Sequence, residues 1–541
     1  MLLEASFQRK ALLLLSFLAV GIKALPMMRF PLGGDHAVFL TLGECVLDGG
    51  VLYQDCWDTK SPGIFFLFAL IVKIFGVSMW GMRVADLIWL FGSSYLIFRF
   101  AERFLGPLVA AVSVVVSAFW YVDQGYWYTA QTESFLMVFV FLSFFLAARE
   151  KGNRRLNQIA SGMFLGIAFW FKYNNLAFIP LATVVPYLDT RPEEGGEPRP
   201  YFRISFRHWV DNVMSFSVGF GGVILGVLGY FWIAGGLDEL LKAALEVVPR
   251  YAAMGYEAKQ NYTLAVLNAL KEFLGAWTEA ALAIGLLLSW RMGELRRFGP
   301  IFWAALMGLT SAALQVRLHP YYLITAFPFF AMVWGYISAK VIGSFRSIAA
   351  EFATRRMRAA QVLMWILLAI LAAWPLSSAL IPLREEYRAL AQWKKDPNSF
   401  YLSFPGDFTI SHLPLQLRLI RYLRENSDPD DSIFFWGFQP LVYFLSERPY
   451  PSRFISTMPL VAAWGPPEWR DELLNDLKAT PPEFFIVGRD DALPGILYTP
   501  LTSEESLVAF PPLARFVAEN YEPVRDFGAF LVYRSIDRHE G

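Results

Sequence analysis

Residues 33–63 read GGDHAVFLTLGECVLDGGVLYQDCWDTKSPG, and this polar stretch lies between segments that are almost purely apolar. Its ionisable side chains are Asp35, His36, Glu44, Asp48, Asp55, Asp58 and Lys60. Ionisable groups are costly near a lipid bilayer, and where they occur they tend to mark substrate or ion sites. We therefore expect this stretch to be the chemical centre of a membrane enzyme.

The composition of the whole chain indicates a membrane protein. Of its 541 residues, 56% are hydrophobic and 17% are charged, and the mean hydropathy is +0.40. Apolar runs of roughly 17–22 residues recur, which is the length that crosses a hydrocarbon core. The formal net charge is zero and no basic stripe is present, so nothing indicates a nucleic-acid partner. The predicted fold class is an α-helical polytopic membrane protein.

Taking each apolar run as one helix predicts about eleven transmembrane spans. They fall near residues 11–27, 80–98, 107–122, 132–148, 156–171, 174–188, 213–234, 275–290, 300–316, 321–343 and 361–381. The run 63–77 is short and contains Lys73, so we predict a helix that lies at the outer membrane interface. No small-residue cleavage site follows the first run, which favours an uncleaved first helix over a signal peptide.

Basic residues distinguish the two sides of this topology. With a cytoplasmic N-terminus, the predicted cytoplasmic loops contain Arg99, Arg103, Arg149, Lys151, Arg154, Arg155, Arg191, Arg199, Arg203, Arg207, Arg291, Arg296, Arg297, Arg346, Arg355, Arg356 and Arg358. The opposite loops contain few, and counting 63–77 as a span would destroy this asymmetry. We therefore predict a multi-pass protein of the bacterial inner membrane with its N-terminus in the cytoplasm and its C-terminal domain outside.

The C-terminal residues differ in composition from the rest. From about Arg384 the chain is rich in Pro, Asp, Glu and Arg. Residues 432–438, 483–489 and 529–535 have the pattern of buried strands, and residues 413–426 and 467–479 have helical periodicity. We predict a transmembrane domain over residues 1–383, with the site in its outer loop at residues 28–79, and a small extracytoplasmic α/β domain over residues 384–541.

Further isolated ionisable residues lie at the predicted outer ends of spans. They are Asp123, Glu133, Lys172, Arg317 and His319. Snorkelling at helix ends would explain such residues one at a time, but their position on one predicted side favours a single outward-facing cavity. Carboxylates there can deprotonate a hydroxyl or bind a divalent metal, and lysine or arginine can bind phosphate. This combination suits transfer of a group from a phosphate leaving group.

Three segments resemble a known family. They are GGDHAVFLTLGECVLDGGVLYQDCWDTKSPGIFFLFALIVKIFG followed by WGMRVADL, then GIAFWFKYNNLAFIPL, and finally RLHPYYLITAFPFFA. Together they resemble the GT-C superfamily of polyprenyl-phosphate-sugar-dependent glycosyltransferases, in its ArnT/PMT-like branch. The likeness extends over residues 1–380, and it implies the GT-C fold with interfacial helices in the first outer loop.

The resemblance also implies roles for individual residues. Asp35 would be the catalytic base that activates the acceptor. The substrate-binding residues would be His36, Asp58, Lys60, Glu133, Lys172, Arg317 and His319. Many relatives have Glu where this chain has His36, so the second acid is in question. A divalent metal is possible, with Asp35 and Glu133 as its ligands if one binds, but the residues require no cofactor.

The two cysteines, Cys45 and Cys56, both fall in the predicted outer loop. An oxidising compartment permits a disulfide between them. The sequence does not give the distance between their Cα atoms, which decides whether they can be bridged. The bonded and free states therefore both stay open.

The sequence thus predicts a membrane glycosyltransferase that moves a sugar, with inversion, from a polyprenyl-phosphate carrier to an extracytoplasmic acceptor. The acceptor is a lipid, a glycan or a protein of the cell envelope. No glycine-rich phosphate loop is present for a nucleotide sugar, which favours a lipid-linked donor. The alternatives are a transporter or flippase of lipid-linked saccharides, which would place charges near the bilayer midplane, and a non-catalytic envelope assembly protein.

Overall fold

The structure is a computed structural model that describes residues 2–149, 151–187, 206–257, 268, 276–316, 319–353, 366, 383–384, 386–402 and 412–536. The predicted span at 361–381 lies outside the described residues except at residue 366. Arg317, one of the predicted site residues, also lies outside them.

The described residues are mostly helical. The longer helices are Leu2–Ala24, Gly34–Leu47, Gly63–Phe75, Met79–Leu105, Pro107–Asp123, Thr132–Ala147, Arg154–Phe171, Phe206–Ala234, Val248–Glu257, Ala276–Arg291, Leu295–Ala313, Phe327–Ala353, Leu413–Asn426, Glu468–Ala479 and Pro511–Asn520. Shorter helical segments include Gly125–Tyr128, Ile179–Val184, Leu237–Lys242, Pro397–Leu402, Leu441–Ser446, Met458–Val461, Pro494–Leu497 and Ser503–Val508.

Nine of the other ten predicted spans coincide with helices of the structure, and the tenth needs a correction. The run at 174–188 is not a continuous helix, because 3-10 turns at Tyr173–Phe178 and Val185–Tyr187 flank the short helix Ile179–Val184. Pro180 and Pro186 each lack the N–H that a regular α-helix needs. A helix is present in the segment predicted to be interfacial, as Gly63–Phe75, and its position at the membrane interface stays a prediction.

Within the described residues, three helices are long and apolar enough to cross a bilayer. They are Ser6–Arg29, Met79–Leu105 and Phe206–Ala234. Five further apolar helices are shorter, among them Pro107–Asp123 and Thr132–Ala147. The fold is that of a helical membrane protein with a small C-terminal sheet domain, and the count of eleven spans stays a prediction.

The chain divides into two compact units, each built from three segments. One comprises Met1–Met28, Val84–Val227 and Ala258–Arg388, and the other comprises Arg29–Arg83, Leu228–Glu257 and Ala389–Gly541. The first predicted outer loop therefore groups with the C-terminal residues. We refer to the two as the helical unit and the outer-loop unit. The predicted domain boundary at residues 383 and 384 stays a prediction.

Two glycines allow neighbouring helices of the helical unit to touch through their backbones. A Cβ atom at Gly162 would lie 2.0 Å from the carbonyl oxygen of Phe216, and one at Gly219 would lie 1.9 Å from the carbonyl oxygen of Ile159. Small residues permit this approach between membrane helices, where dispersion rather than the hydrophobic effect drives packing. Helices Arg154–Phe171 and Phe206–Ala234 are thus fixed against each other.

In the outer-loop unit, helix Gly34–Leu47 packs against helix Gly63–Phe75. The Phe39 ring meets Phe65 and Phe68 edge-on, with centroids 6.1 and 5.1 Å apart. A disulfide joins Cys45, near the end of the first helix, to Cys56 in the connecting loop, with Cα atoms 6.6 Å apart. The structure thus answers the question that the sequence left open. The helix pair and the bridge hold the polar stretch 33–63 in one conformation.

The C-terminal part of the outer-loop unit contains a four-stranded sheet. Its strands are β1 (Ile433–Trp436), β2 (Phe484–Gly488), β3 (Tyr521–Asp526) and β4 (Phe530–Ser535), in the order β1-β2-β4-β3. β1 and β2 are parallel, and β4 is antiparallel to both of its neighbours. The three predicted strands are confirmed. The sequence missed β3, because this edge strand contains Pro523 and exposes most of its side chains.

Candidate functional site

Asp35, Asp58 and Lys60 form one cluster in the outer-loop unit. Asp35 lies in the first turn of helix Gly34–Leu47, where the helix dipole favours a negative charge. Its Oδ1 accepts a hydrogen bond of 2.8 Å from Lys60 Nζ. Asp58 Oδ1 lies 3.7 Å from the same ammonium and accepts a 3.0 Å hydrogen bond from the Lys60 backbone N–H. The structure therefore places one cation between two carboxylates.

All three side chains of this cluster keep some solvent access, since they are 17–25% exposed. Burial by itself lowers the pKa of Lys60, but the charges of Asp35 and Asp58 outweigh it and raise that pKa above its ordinary value. Burial raises the pKa of Asp58, an effect that Lys60 opposes and Asp35 reinforces. Lys60 is accordingly protonated at neutral pH, with the two carboxylates as its counterions.

His36 is the residue after Asp35, and its side chain is completely buried. Its Nδ1 accepts a 3.0 Å hydrogen bond from the backbone N–H of Gly33, which starts the helix. This contact satisfies an N–H donor at the start of the helix. It is the bond in which the third helical side chain of a capping box accepts from the N-cap backbone. His36 therefore helps to orient the first turn that carries Asp35, and its role in substrate binding stays a prediction.

Glu133 and Lys172 form a second cluster, in the helical unit. Glu133 lies in the first turn of helix Thr132–Ala147 and is completely buried, while Lys172 follows the end of helix Arg154–Phe171. The Lys172 ammonium donates to a Glu133 carboxylate oxygen and to the amide oxygen of Gln315. It also lies 4.0 Å from the centroid of the Tyr322 ring. Gln315 was not singled out in the sequence, because no charge marked it.

His319 belongs to the aromatic wall of this second cluster. Its ring stacks on Tyr321 with centroids 5.6 Å apart, and it meets Tyr322 edge-on. Tyr128, from the aromatic stretch before helix Thr132–Ala147, packs against Tyr321 in turn. The structure thus brings Glu133, Lys172 and His319 into one neighbourhood. That these residues and the Asp35 cluster serve one outward-facing cavity stays a prediction.

No group of three or more His, Cys, Asp and Glu side chains is arranged to hold a metal ion in the described part of the chain. Asp35 has Lys60 at one oxygen, and Glu133 has Lys172 at one oxygen. An ammonium competes with a divalent cation for the same carboxylate oxygens, so these surroundings fit a cation-paired carboxylate better than a metal ligand.

Two charged groups of the helical unit were not assigned by the sequence. Lys23 is completely buried and contacts Asp123 at 2.5 Å and Glu386 at 2.7 Å, so Asp123 belongs to an internal ion-pair network. Asp86 accepts a 2.5 Å hydrogen bond from Tyr121 at the wall of a cavity. Only its mid-helix position among apolar residues could have drawn attention to Asp86.

The fold of the whole chain has counterparts among solved structures. ArnT from Cupriavidus metallidurans in the apo state superposes with a TM-score of 0.56 at 14% sequence identity, covering 98% of each chain. The same enzyme bound to undecaprenyl phosphate gives a TM-score of 0.52 at 13% identity, again covering 98% of each chain. This chain has the GT-C fold. The resemblance seen in the sequence is thereby confirmed at the level of the fold.

Two other comparisons accompany this GT-C assignment. The family model of dolichyl-phosphate-mannose-protein mannosyltransferases matches residues 59–195. The oligosaccharyltransferase of Archaeoglobus fulgidus in its apo form is more distant, with a TM-score of 0.46 at 10% identity over 87% of this chain and 69% of that one. No curated protein matches the sequence. The GT-C fold assignment itself comes from the full-length superposition on ArnT.

Proposed function

We propose that the protein is an integral membrane glycosyltransferase that transfers a sugar from a polyprenyl-phosphate carrier to an extracytoplasmic acceptor. The observation that carries the proposal is the Asp35–Lys60 pair on a GT-C fold. A carboxylate that faces an ammonium supplies both a base for the acceptor and a cation for a phosphate. One of the ArnT structures that share this fold is bound to undecaprenyl phosphate, which supports a lipid carrier of this class.

In the proposed reaction, Asp35 takes the proton of an acceptor hydroxyl. The acceptor oxygen attacks the anomeric carbon from the face opposite to the phosphate, so that a new C–O bond forms with inversion. The bond between the anomeric carbon and the phosphate oxygen breaks, and its electron pair leaves with the polyprenyl phosphate. Cationic side chains stabilise the negative charge that develops on this leaving group.

Lys60 connects binding of the donor phosphate with the basicity of Asp35. In the structure its ammonium is satisfied by Asp35 and Asp58. When a donor phosphate takes over Lys60, Asp35 loses its counterion, and a carboxylate without a neighbouring cation is the stronger base. Donor binding would thus activate the base. We assign Lys172, supported by Glu133 and Tyr322, to the lipid-phosphate side of the reaction.

The disulfide supports an extracytoplasmic position for this chemistry, because disulfides persist in oxidising compartments and are rare in the cytosol. The asymmetry of basic residues favours the same side of the membrane for this loop. We therefore propose a bacterial inner-membrane enzyme with its N-terminus in the cytoplasm and with the loop at residues 28–79 facing the outside. The acceptor is a lipid, a glycan or a protein that reaches that face.

The test uses the purified protein in nanodiscs with two donors, undecaprenyl-phosphate-linked mannose and undecaprenyl-phosphate-linked aminoarabinose, and an envelope extract of lipids, glycans and proteins as acceptor. We expect acceptor-dependent release of undecaprenyl phosphate and an acceptor whose mass has grown by one sugar. Asp35→Asn should lower the rate by about 100-fold or more. Movement of intact donor without any glycosylated product would contradict the proposal and favour a transporter.

A matched control separates chemistry from helix stability. Asp471 is an exposed aspartate in the first turn of helix Glu468–Ala479, in the same unit as Asp35. Asp471→Asn removes a helix-dipole contact of the same kind without touching Lys60. It should retain the full rate. Equal losses in the two variants would assign Asp35 to helix stability alone.

A further inference from the structure

Tyr53 lies in the loop between helices Gly34–Leu47 and Gly63–Phe75, and its backbone is strained. Its φ angle of 71° falls in the left-handed region, which bulky residues rarely adopt. Its side chain is buried, and its backbone N–H donates a 2.7 Å hydrogen bond to the carbonyl of Cys56. Strain of this kind persists only where the surroundings impose it, and it is concentrated at functional sites.

The surroundings that impose it come from the far end of the chain. Arg453 Nη1 donates a 2.7 Å hydrogen bond to the carbonyl oxygen of Tyr53. The Arg453 guanidinium is 8% exposed and is held in place by Glu239 at 2.6 Å and by Glu472 at 2.6 Å. Its own carbonyl accepts a 3.0 Å hydrogen bond from the N–H of Trp57. Arg453 thus fixes both ends of the 53–57 turn.

The side chain of Tyr53 contacts the residue that carries the cation of the Asp35–Lys60 pair. The Tyr53 hydroxyl donates a 2.7 Å hydrogen bond to the carbonyl oxygen of Lys60. The Lys60 N–H donates in turn to Asp58, so the main chain of Lys60 is held on both sides. A lysine side chain has four rotatable bonds, and its ammonium reaches Asp35 reproducibly only from a fixed backbone.

We propose that Tyr53 is a positioning residue, which transmits the placement of Arg453 to Lys60 and so sets the Lys60–Asp35 pair. The inference rests on the function proposed for that pair. The C-terminal residues then act in the reaction through the contacts that join Arg453, Tyr53, Lys60 and Asp35 in turn. Neither Arg453 nor Tyr53 touches the substrate. This role differs from packing, because it depends on one hydrogen bond of the Tyr53 hydroxyl group.

Tyr53→Phe tests the role, because it removes that hydroxyl and keeps the buried ring. Tyr521→Phe is the matched control, since Tyr521 is also buried in this unit and donates a 2.9 Å hydrogen bond to the carbonyl of Pro482. Two quantities are measured in nanodiscs. The first is the pair of kinetic constants kcat and KM, with undecaprenyl-phosphate-linked mannose and with undecaprenyl-phosphate-linked aminoarabinose as donors. The second is the rate at which N-hydroxysuccinimide acetate acylates Lys60, measured by mass spectrometry.

In Tyr53→Phe we expect kcat to fall by about tenfold with little change in KM, since misplacement of a catalytic group by a fraction of an ångström slows the chemical step. Acylation of Lys60 should be several-fold faster, because the unprotonated amine is the nucleophile and a lysine that is paired less firmly with Asp35 and Asp58 loses its proton more readily. Tyr521→Phe should change neither quantity. If Tyr53→Phe leaves Lys60 acylation at the wild-type rate, or if Tyr521→Phe raises it equally, the inference is overturned.

A second variant addresses the link to Arg453. Arg453→Lys keeps the charge but loses the planar fork that joins Tyr53 to both carboxylates. It should reproduce faster Lys60 acylation, and the double variant with Tyr53→Phe should add little, because residues in one chain of contacts are not additive. Fully additive effects would contradict the link. A wild-type protein that transfers no sugar would contradict the proposed function, while the acylation rates would still decide the inference.

Discussion

Lys60 Nζ and Asp35 Oδ1 are 2.8 Å apart, although 25 positions separate the two residues in the chain. Asp35 lies in the first turn of one helix, and Lys60 lies three residues before the next helix begins at Gly63. The two helices pack through Phe39, Phe65 and Phe68, and this packing brings the carboxylate and the ammonium together. The pair is thus a property of the folded loop.

Lys60→Met should separate the electrostatic role of this cation from its packing. The change keeps most of the aliphatic stem and removes the ammonium, so the developing phosphate charge loses a direct stabiliser. We expect kcat/KM for sugar transfer to fall by about 100-fold, with partial recovery in Lys60→Arg. Lys242→Met is the control, because Lys242 pairs with the largely exposed Glu468 in the same unit. A similar loss in the control would contradict the assignment.

Lys172 and Glu133 should respond differently in stability and in activity. Lys172→Met leaves the carboxylate of the completely buried Glu133 without its cation, and such a change costs about 3–5 kcal/mol. The double variant with Glu133→Gln should recover most of the thermal stability, because no uncompensated charge remains. It should not recover affinity for undecaprenyl phosphate, measured by native mass spectrometry. If the double variant recovered both the thermal stability and the affinity for undecaprenyl phosphate, the role of Lys172 would be structural alone.

Glu44 predicts a pH dependence of stability in the outer-loop unit. Burial, together with the charges of Asp48 and Glu447, raises the pKa of Glu44 to about 7. The folded state therefore holds this proton more tightly than the unfolded state, and stability is lost as the pH rises from about 4.5 to about 7. Glu44→Gln should raise the free energy of unfolding at pH 8 by about 1–2 kcal/mol after solvent screening, seen as a higher melting temperature, and should have little effect at pH 5.

The disulfide between Cys45 and Cys56 should stabilise the loop that carries the site. It closes a short loop, with a sequence separation of 11 residues, so removing it costs about 2–3 kcal/mol in the chain-entropy account. We expect the Cys45→Ser and Cys56→Ser double variant to melt earlier and to lose activity at lower temperature. A reducing agent should have the same effect on the wild type and none on the double variant.

Much of the helical fold could be predicted because apolar runs of bilayer length are explicit in the sequence. The break at 173–187 could have been anticipated from Pro180 and Pro186, but the apolar pattern concealed it. The buried strands β1, β2 and β4 were visible as apolar runs, whereas the exposed edge strand β3 had no such pattern.

The residues of the candidate site also fall into those that the sequence could indicate and those that it could not. Charged residues in an apolar chain are conspicuous, so Asp35, Lys60, Glu133 and Lys172 could be named from the sequence. Their partners could not, because pairing depends on helix packing between distant segments. Gln315 beside Lys172 is uncharged, and Tyr53 is one of 23 tyrosines with no local signal of its left-handed backbone.

The contact between Arg453 and Tyr53 joins residues 400 positions apart. At about 5–20 residues per second, the ribosome reaches Arg453 roughly 20–80 s after it has made Tyr53. During that interval the nascent loop has its cysteines, its acids and its lysine but not the guanidinium that holds its turn. On the proposed role of this contact, the loop that is synthesised early is among the last parts of the fold to mature, and a chain that ends before Arg453 carries Asp35 and Lys60 without the contact that sets their placement.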